Sequence, residues 1–65
     1  MDTKFLDQMA RQLKQGKSPE CRRAVERKLG QVRKRYEDGG YDNEGAALKD
    51  LRDFVDAEPA CQVKH

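Results

Sequence analysis

The chain has 65 residues, 40% of them charged and 6% aromatic, and its formal net charge is +2 at neutral pH. That length allows one small domain near the lower limit for independent folding and excludes a multidomain architecture. No apolar run approaches the roughly 20 residues that span a bilayer, and the amino-terminal residues lack the pattern of a signal peptide. We therefore expect a cytoplasmic protein with no membrane partner, in which Cys21 and Cys61 are free thiols.

A first helix is predicted over about residues 3–15. Its apolar residues recur every three or four positions and so share one face of a helix, namely Phe5, Leu6, Met9, Ala10 and Leu13. The side chain of Asp2 or Thr3 can accept a hydrogen bond from an early backbone N–H and cap the helix. Gly16 is expected to end it, because glycine readily takes the left-handed conformation that closes a helix.

A second helix is predicted over residues 19–37, and it begins with the strongest local signal in the sequence. Ser18 is a typical N-cap, and Pro19 occupies the first helical position, where no N–H is needed. The apolar residues that follow form a narrow seam at coiled-coil spacing, consisting of Val25, Leu29, Val32 and Tyr36. Because so short a chain has a thin core, we expect a homo-oligomer, with a dimer through this seam as one arrangement.

A third helix is predicted over residues 43–57, after a reversal of the chain at Gly39 and Gly40. Asp42 or Asn43 caps it, and Pro59 ends it, since the residue before proline avoids the helical region. Its buried face is expected to contain Ala47, Leu48, Leu51, Phe54 and Val55. The sequence thus predicts an all-α domain, a helical hairpin plus a third helix within residues 1–59, and a flexible tail at 60–65.

Positive and negative charges are unevenly distributed along the chain. Residues 1–37 hold eleven Lys and Arg against five Asp and Glu, whereas residues 38–65 hold three against seven. The acidic part can therefore fold onto the basic part or pair with another copy.

The outer side of the second helix is the candidate binding surface. At 100° per residue, Arg23, Arg27, Gln31 and Lys34 line up opposite the apolar seam. Several basic residues have acidic neighbours at helical spacing, as in Arg22–Glu26, Arg33–Glu37 and Lys34–Asp38, but Arg27 and Lys28 have none. Gly30 lies beside the row, where a missing side chain would let a partner approach closely. These six candidates (Arg23, Arg27, Lys28, Gly30, Gln31 and Lys34) indicate a surface for the phosphates of DNA or RNA.

A helix-turn-helix is disfavoured, because the helix after the basic one carries Asp50, Asp53 and Asp56 and would be repelled by phosphate. The chain contains no phosphate loop, catalytic triad or metal-binding motif, so we expect no enzyme, no cofactor and no metal. The first hypothesis is a small non-enzymatic regulator that binds nucleic acid. The alternative is a protein-interaction module, an inhibitor or adaptor that docks on a larger host protein, similar in size and architecture to small helical regulators of phages and plasmids.

Overall fold

The computed structural model describes residues 2–62 and contains three α-helices. They are α1 (Lys4–Lys14), α2 (Pro19–Glu37) and α3 (Glu44–Ala57), and a short 3-10 helix follows at Pro59–Cys61. No strand occurs among the described residues. The all-α, three-helix prediction is therefore confirmed, and each predicted helix boundary lies within one residue of the observed one.

The helix ends are formed by the polar residues and glycines that the sequence indicates. The Ser18 hydroxyl oxygen accepts a hydrogen bond from the backbone N–H of Cys21 at 3.2 Å. The Asn43 side-chain oxygen accepts one from the N–H of Ala46 at 2.8 Å. Gly16 and Gly39 have φ angles of +73° and +81° at the two chain reversals. Residues that have a Cβ atom rarely adopt this backbone conformation.

The apolar faces of the three helices meet in one core. Leu6 and Ala10 from α1 pack with residues of α3 and with the seam of α2, and the buried set is Leu6, Ala10, Cys21, Val25, Leu29, Val32, Ala47, Leu51, Val55 and Cys61. At the other end of the seam, the Tyr36 ring meets the Phe5 ring edge-on, with centroids 5.2 Å apart. The seam is thus covered by the chain's own helices, so a dimer would have to use another surface or open the core.

Cys21 and Cys61 are joined by a disulfide bond, so the prediction of two free thiols is wrong. Free thiols are expected from the reducing conditions of the cytosol, whereas the bond forms because the fold brings the two residues together. Cys21 lies in the first turn of α2 and Cys61 ends the 3-10 helix, and both residues are buried.

The segment after α3 is folded back onto α2 as far as the structure describes it. The Ser18 hydroxyl donates a hydrogen bond to the carbonyl oxygen of Ala60 at 3.3 Å. The Gln62 side-chain amide donates one to the carbonyl oxygen of Asp56 at 2.5 Å. A flexible tail beginning at residue 60 is therefore incorrect for residues 60–62. Residues 63–65 of the predicted tail lie outside the described residues.

The described part of the chain is elongated, with Cα extents of 39 × 17 × 15 Å. The longest helix, α2, has 19 residues, which corresponds to about 28 Å at 1.5 Å per residue. None of the helices within residues 2–62 combines the length and apolar character needed to cross a membrane.

Candidate nucleic-acid interface

The outer side of α2 carries the predicted row of polar and basic residues. Arg23, Arg27, Gln31 and Lys34 are all exposed, and we call these four residues the basic face. Their exposure follows from the opposite side of the helix, which is fixed in the core by Val25, Leu29 and Val32. From Arg23 to Lys34 the basic face extends about 16 Å along the helix axis, at 1.5 Å per residue.

The cations of the basic face have no acidic partner within 4 Å among the described residues. The three ion pairs found there join Lys14 to Glu26, Arg33 to Asp7, and Lys28 to Asp50. All three connect different helices, and the pairs expected along α2 do not form. Glu26 and Arg33 are thus paired with α1, which leaves the charges of Arg23, Arg27 and Lys34 directed to solvent.

Lys28 differs from the rest of the candidate set, because its side chain is turned towards α3. Its ammonium nitrogen lies 3.5 Å from the Asp50 carboxylate and 5.6 Å from the centre of the Phe54 ring, and the side chain is 21% exposed. Lys28 therefore stabilises the contact between α2 and α3, and its charge is largely compensated by Asp50.

A second contact between α2 and the acidic part of the chain involves Tyr41. The Tyr41 hydroxyl donates a hydrogen bond of 2.5 Å to Asp50, and the Arg35 guanidinium lies 4.8 Å from the centre of the Tyr41 ring. Burial, together with the neighbouring Asp50 carboxylate, raises the pKa of Tyr41 to about 12. The hydrogen bond from Tyr41, and then the charge of Lys28, lower the pKa of Asp50 although burial opposes them. The acidic part of the chain does fold onto the basic part, and among its described residues Asp50 is the carboxylate that pairs with a cation of α2.

Two shallow concavities meet at Gln31 on the side of the basic face nearest α3. One, of about 260 Å³, is lined by Ala24, Arg27, Lys28, Gln31, Phe54 and Glu58. The other, of about 320 Å³, is lined by Gln31, Lys34, Arg35, Asp38 and Gly40. Phe54 thereby becomes a neighbour of Arg27, although no aromatic residue is interleaved with the arginines in the sequence. Helical spacing along α2 alone could not reveal this neighbour, because it comes from α3.

Gly30 is exposed beside the basic face. A Cβ atom built at this position would have no neighbouring atom within 4 Å, leaving out the backbone of its own helix. Its backbone is not in the left-handed region either. Neither packing nor backbone conformation within the described chain therefore requires a glycine here.

Within residues 2–62, no group of three or more His, Cys, Asp or Glu side chains is arranged to hold a metal ion. Comparison of the chain with protein-family models, with curated proteins and with solved structures returns no match. A function for this chain must therefore be inferred from the geometry and charge of the basic face.

Proposed function

We propose that this chain is a small non-enzymatic regulatory protein that binds nucleic acid through the basic face of α2. The observation that supports this proposal is the set of exposed cations at Arg23, Arg27 and Lys34, which lie on one side of one helix without an acidic partner among the described residues. Cations spaced along a rigid helix suit a regularly charged polymer, since each bound phosphate releases counterions.

The expected contact is with the phosphate backbone rather than with the bases. Arginine and lysine bound to phosphate fix the position of a protein on a duplex, but they carry no sequence information directly. Gln31 has an amide group that could pair with adenine, and an arginine could instead contact guanine, but a single row of four side chains can read few bases. We therefore expect weak binding with little sequence preference.

Fluorescence anisotropy with a labelled duplex and a single strand of about 20 nucleotides tests the proposal. Three phosphate contacts predict a slope near −2.7 for the logarithm of the duplex affinity against the logarithm of salt concentration. Affinity should then fall about 40-fold between 50 and 200 mM salt. Affinity that does not change over this range would contradict the proposal.

A pair of charge-reversal variants locates the contact. Arg27→Glu/Lys34→Glu should abolish measurable duplex binding, because it removes two cations and adds two anions on the basic face. Lys4→Glu/Arg11→Glu is the matched control: it changes the net charge equally at two exposed positions of α1. If both variants lose the same affinity, the basic face has no special role and net charge alone explains the binding.

Docking on a larger protein is the second candidate function. It is favoured by the concavity that combines Arg27 and Gln31 with the half-buried Phe54 ring, because a protein side chain could enter it. The same variants separate the two functions. Docking predicts no nucleic-acid binding at physiological salt, together with a host protein that is retained by the wild type and lost with Arg27→Glu.

A cytoplasmic location remains part of the proposal, because DNA and RNA are accessible there. Cytosolic reductants keep most thiols reduced, so the bond between Cys21 and Cys61 bears directly on this point. The redox state of these two residues in cells is therefore a test of location.

A further inference from the structure

Four charged residues form a stripe along the outer side of α3. Lys49, Arg52, Asp53 and Asp56 are all exposed, and their spacing of three, one and three positions places them on one face of the helix. We call them the α3 stripe. The spacing would allow Lys49 to pair with Asp53 and Arg52 with Asp56, but neither pair occurs among the ion pairs of the described residues.

The α3 stripe borders a concavity that also has apolar walls. This concavity, of about 460 Å³, lies between α1 and α3 and is lined by Met9, Gly45, Leu48, Lys49, Arg52, Asp53 and Asp56. Met9 and Leu48 are only half-buried, and Gly45 leaves the helix surface low at one end. The surface therefore joins apolar area to an ordered set of charges, the combination found at protein interfaces.

The order of charges along the α3 stripe is complementary to its own reverse, because each cation takes the place of an anion when the order is inverted. Both basic residues come first and both acidic residues follow, and the pattern is mirrored about the point midway between Arg52 and Asp53. If a second α3 lies antiparallel with a two-fold axis at that point, Lys49 faces Asp56 of the partner subunit. Arg52 then faces Asp53 of the partner subunit. We propose that the α3 stripe is the surface through which two copies of this chain associate.

Other occupants fit this surface less well. In a parallel copy in register, Lys49 and Arg52 would each face the same residue of the second copy. Like charges in contact are unfavourable. A wholly acidic or wholly basic partner would also meet two like charges. Only the antiparallel copy gives four attractive pairs, because a two-fold interface forms every contact twice.

The association should be weak and sensitive to salt. A 14-residue helix is about 21 Å long, so a single helix pair buries less than the roughly 1,200 Å² of a stable interface. Exposed ion pairs also weaken as salt screens them. The basic face of α2 takes no part in this contact, so the inference does not depend on the proposed function.

Sedimentation equilibrium of the 65-residue, disulfide-bonded chain tests the inference. The protein concentration should run from about 10 μM to about 1 mM, which spans the affinities of small interfaces. The wild type should dimerise at low salt and dissociate as salt rises. Lys49→Asp/Arg52→Asp makes the stripe wholly acidic, and Asp53→Lys/Asp56→Arg makes it wholly basic. Each variant alone should be monomeric, whereas an equimolar mixture should form a heterodimer at least as tight as the wild-type dimer.

Several outcomes would overturn the inference. They are a wild type that stays monomeric over the whole range, variants that still form homodimers, and a mixture that fails to associate. The four positions are exposed, so the variants should keep the circular dichroism of the wild type. Because the mixture regains association only through complementary charges, a fold disrupted in either variant cannot produce the positive result.

Discussion

Cys21 and Cys61 are 40 residues apart in the chain, yet their Cα atoms lie 4.6 Å apart and their sulfurs are bonded. The bond closes a loop that contains most of α2 and all of α3. It therefore fixes the end of the described chain to the first turn of the helix that carries the basic face. In a domain with so small a core, one such covalent link is a large part of the stability.

Reducing this disulfide should lower the free energy of unfolding by about 3–4 kcal/mol, since a loop of this length then regains its full entropy in the unfolded state. Urea unfolding with and without a thiol reductant measures the difference. A Cys21→Ala/Cys61→Ala variant should show no response to reductant. If the wild type is equally insensitive, the bond contributes nothing to the stability.

The cytoplasmic proposal predicts that both thiols are reduced in living cells, because glutathione and thioredoxin keep cytosolic cysteines reduced. Because Cys21 and Cys61 are buried in the folded chain, cells should be lysed in denaturant with an excess of an alkylating reagent. The protein should then be modified at both residues, as read by mass spectrometry. Protein recovered unmodified, with the disulfide intact, would instead indicate an oxidising compartment and rule out the location proposed here.

Asp50→Asn should destabilise the fold by about 1–2 kcal/mol at neutral pH, because the carboxylate bonds the Tyr41 hydroxyl and pairs with Lys28. The pKa of Asp50 is lowered in the folded state, so its stabilising effect is present above the ordinary value of 3.8. That effect is lost as the pH falls through the lowered pKa. The stability difference between wild type and variant should therefore shrink in acid. Asp42→Asn, at an exposed carboxylate, should show no comparable difference.

Tyr41 should ionise near pH 12 rather than at its ordinary value of 10.0. A Tyr36→Phe background leaves Tyr41 as the only tyrosine, so tyrosinate absorbance reports it alone. A raised pKa means that the proton is held more tightly in the folded state. The contribution of protonated Tyr41 to the free energy of unfolding is therefore complete below pH 10 and is lost as the pH rises from 10 to about 12. Asp50→Asn in the same background should lower this pKa, and an unchanged titration would contradict the role given to the hydrogen bond.

Gly30→Ala should raise the free energy of unfolding by about 0.5–1 kcal/mol, because alanine favours a helix and nothing occupies the space of its Cβ. If a partner approaches closely at this point, the same variant should bind duplex DNA more weakly despite its greater stability. Gln12→Ala, at an exposed position of α1, is the control and should leave duplex binding unchanged. Unchanged binding by Gly30→Ala would mean that the glycine does not serve the interface.

Local signals made most of the fold predictable. Ser18, Pro19 and Asn43 mark helix starts through their own chemistry, and the spacing of Val25, Leu29 and Val32 identifies the buried side of α2 without knowledge of its neighbours. These features depend on residues a few positions apart, which the sequence displays directly.

The errors concern contacts between distant residues. Helical spacing predicts that Glu26 pairs within α2, but its carboxylate pairs with Lys14 of α1. Pairs along a helix contribute only a few tenths of a kcal/mol, so a contact between helices can replace them. Phe54 reaches the neighbourhood of Arg27 from another helix. The disulfide depends on the folding back of the last described residues and on a redox environment that the sequence does not encode.

The covalent loop also changes what a single cut would do. The reversal at Gly39 and Gly40 is exposed and suits protease attack. Cleavage between these glycines would leave Cys21 in one fragment and Cys61 in the other, still joined through sulfur. The nicked molecule would keep its mass on a non-reducing gel and separate into two peptides only after reduction.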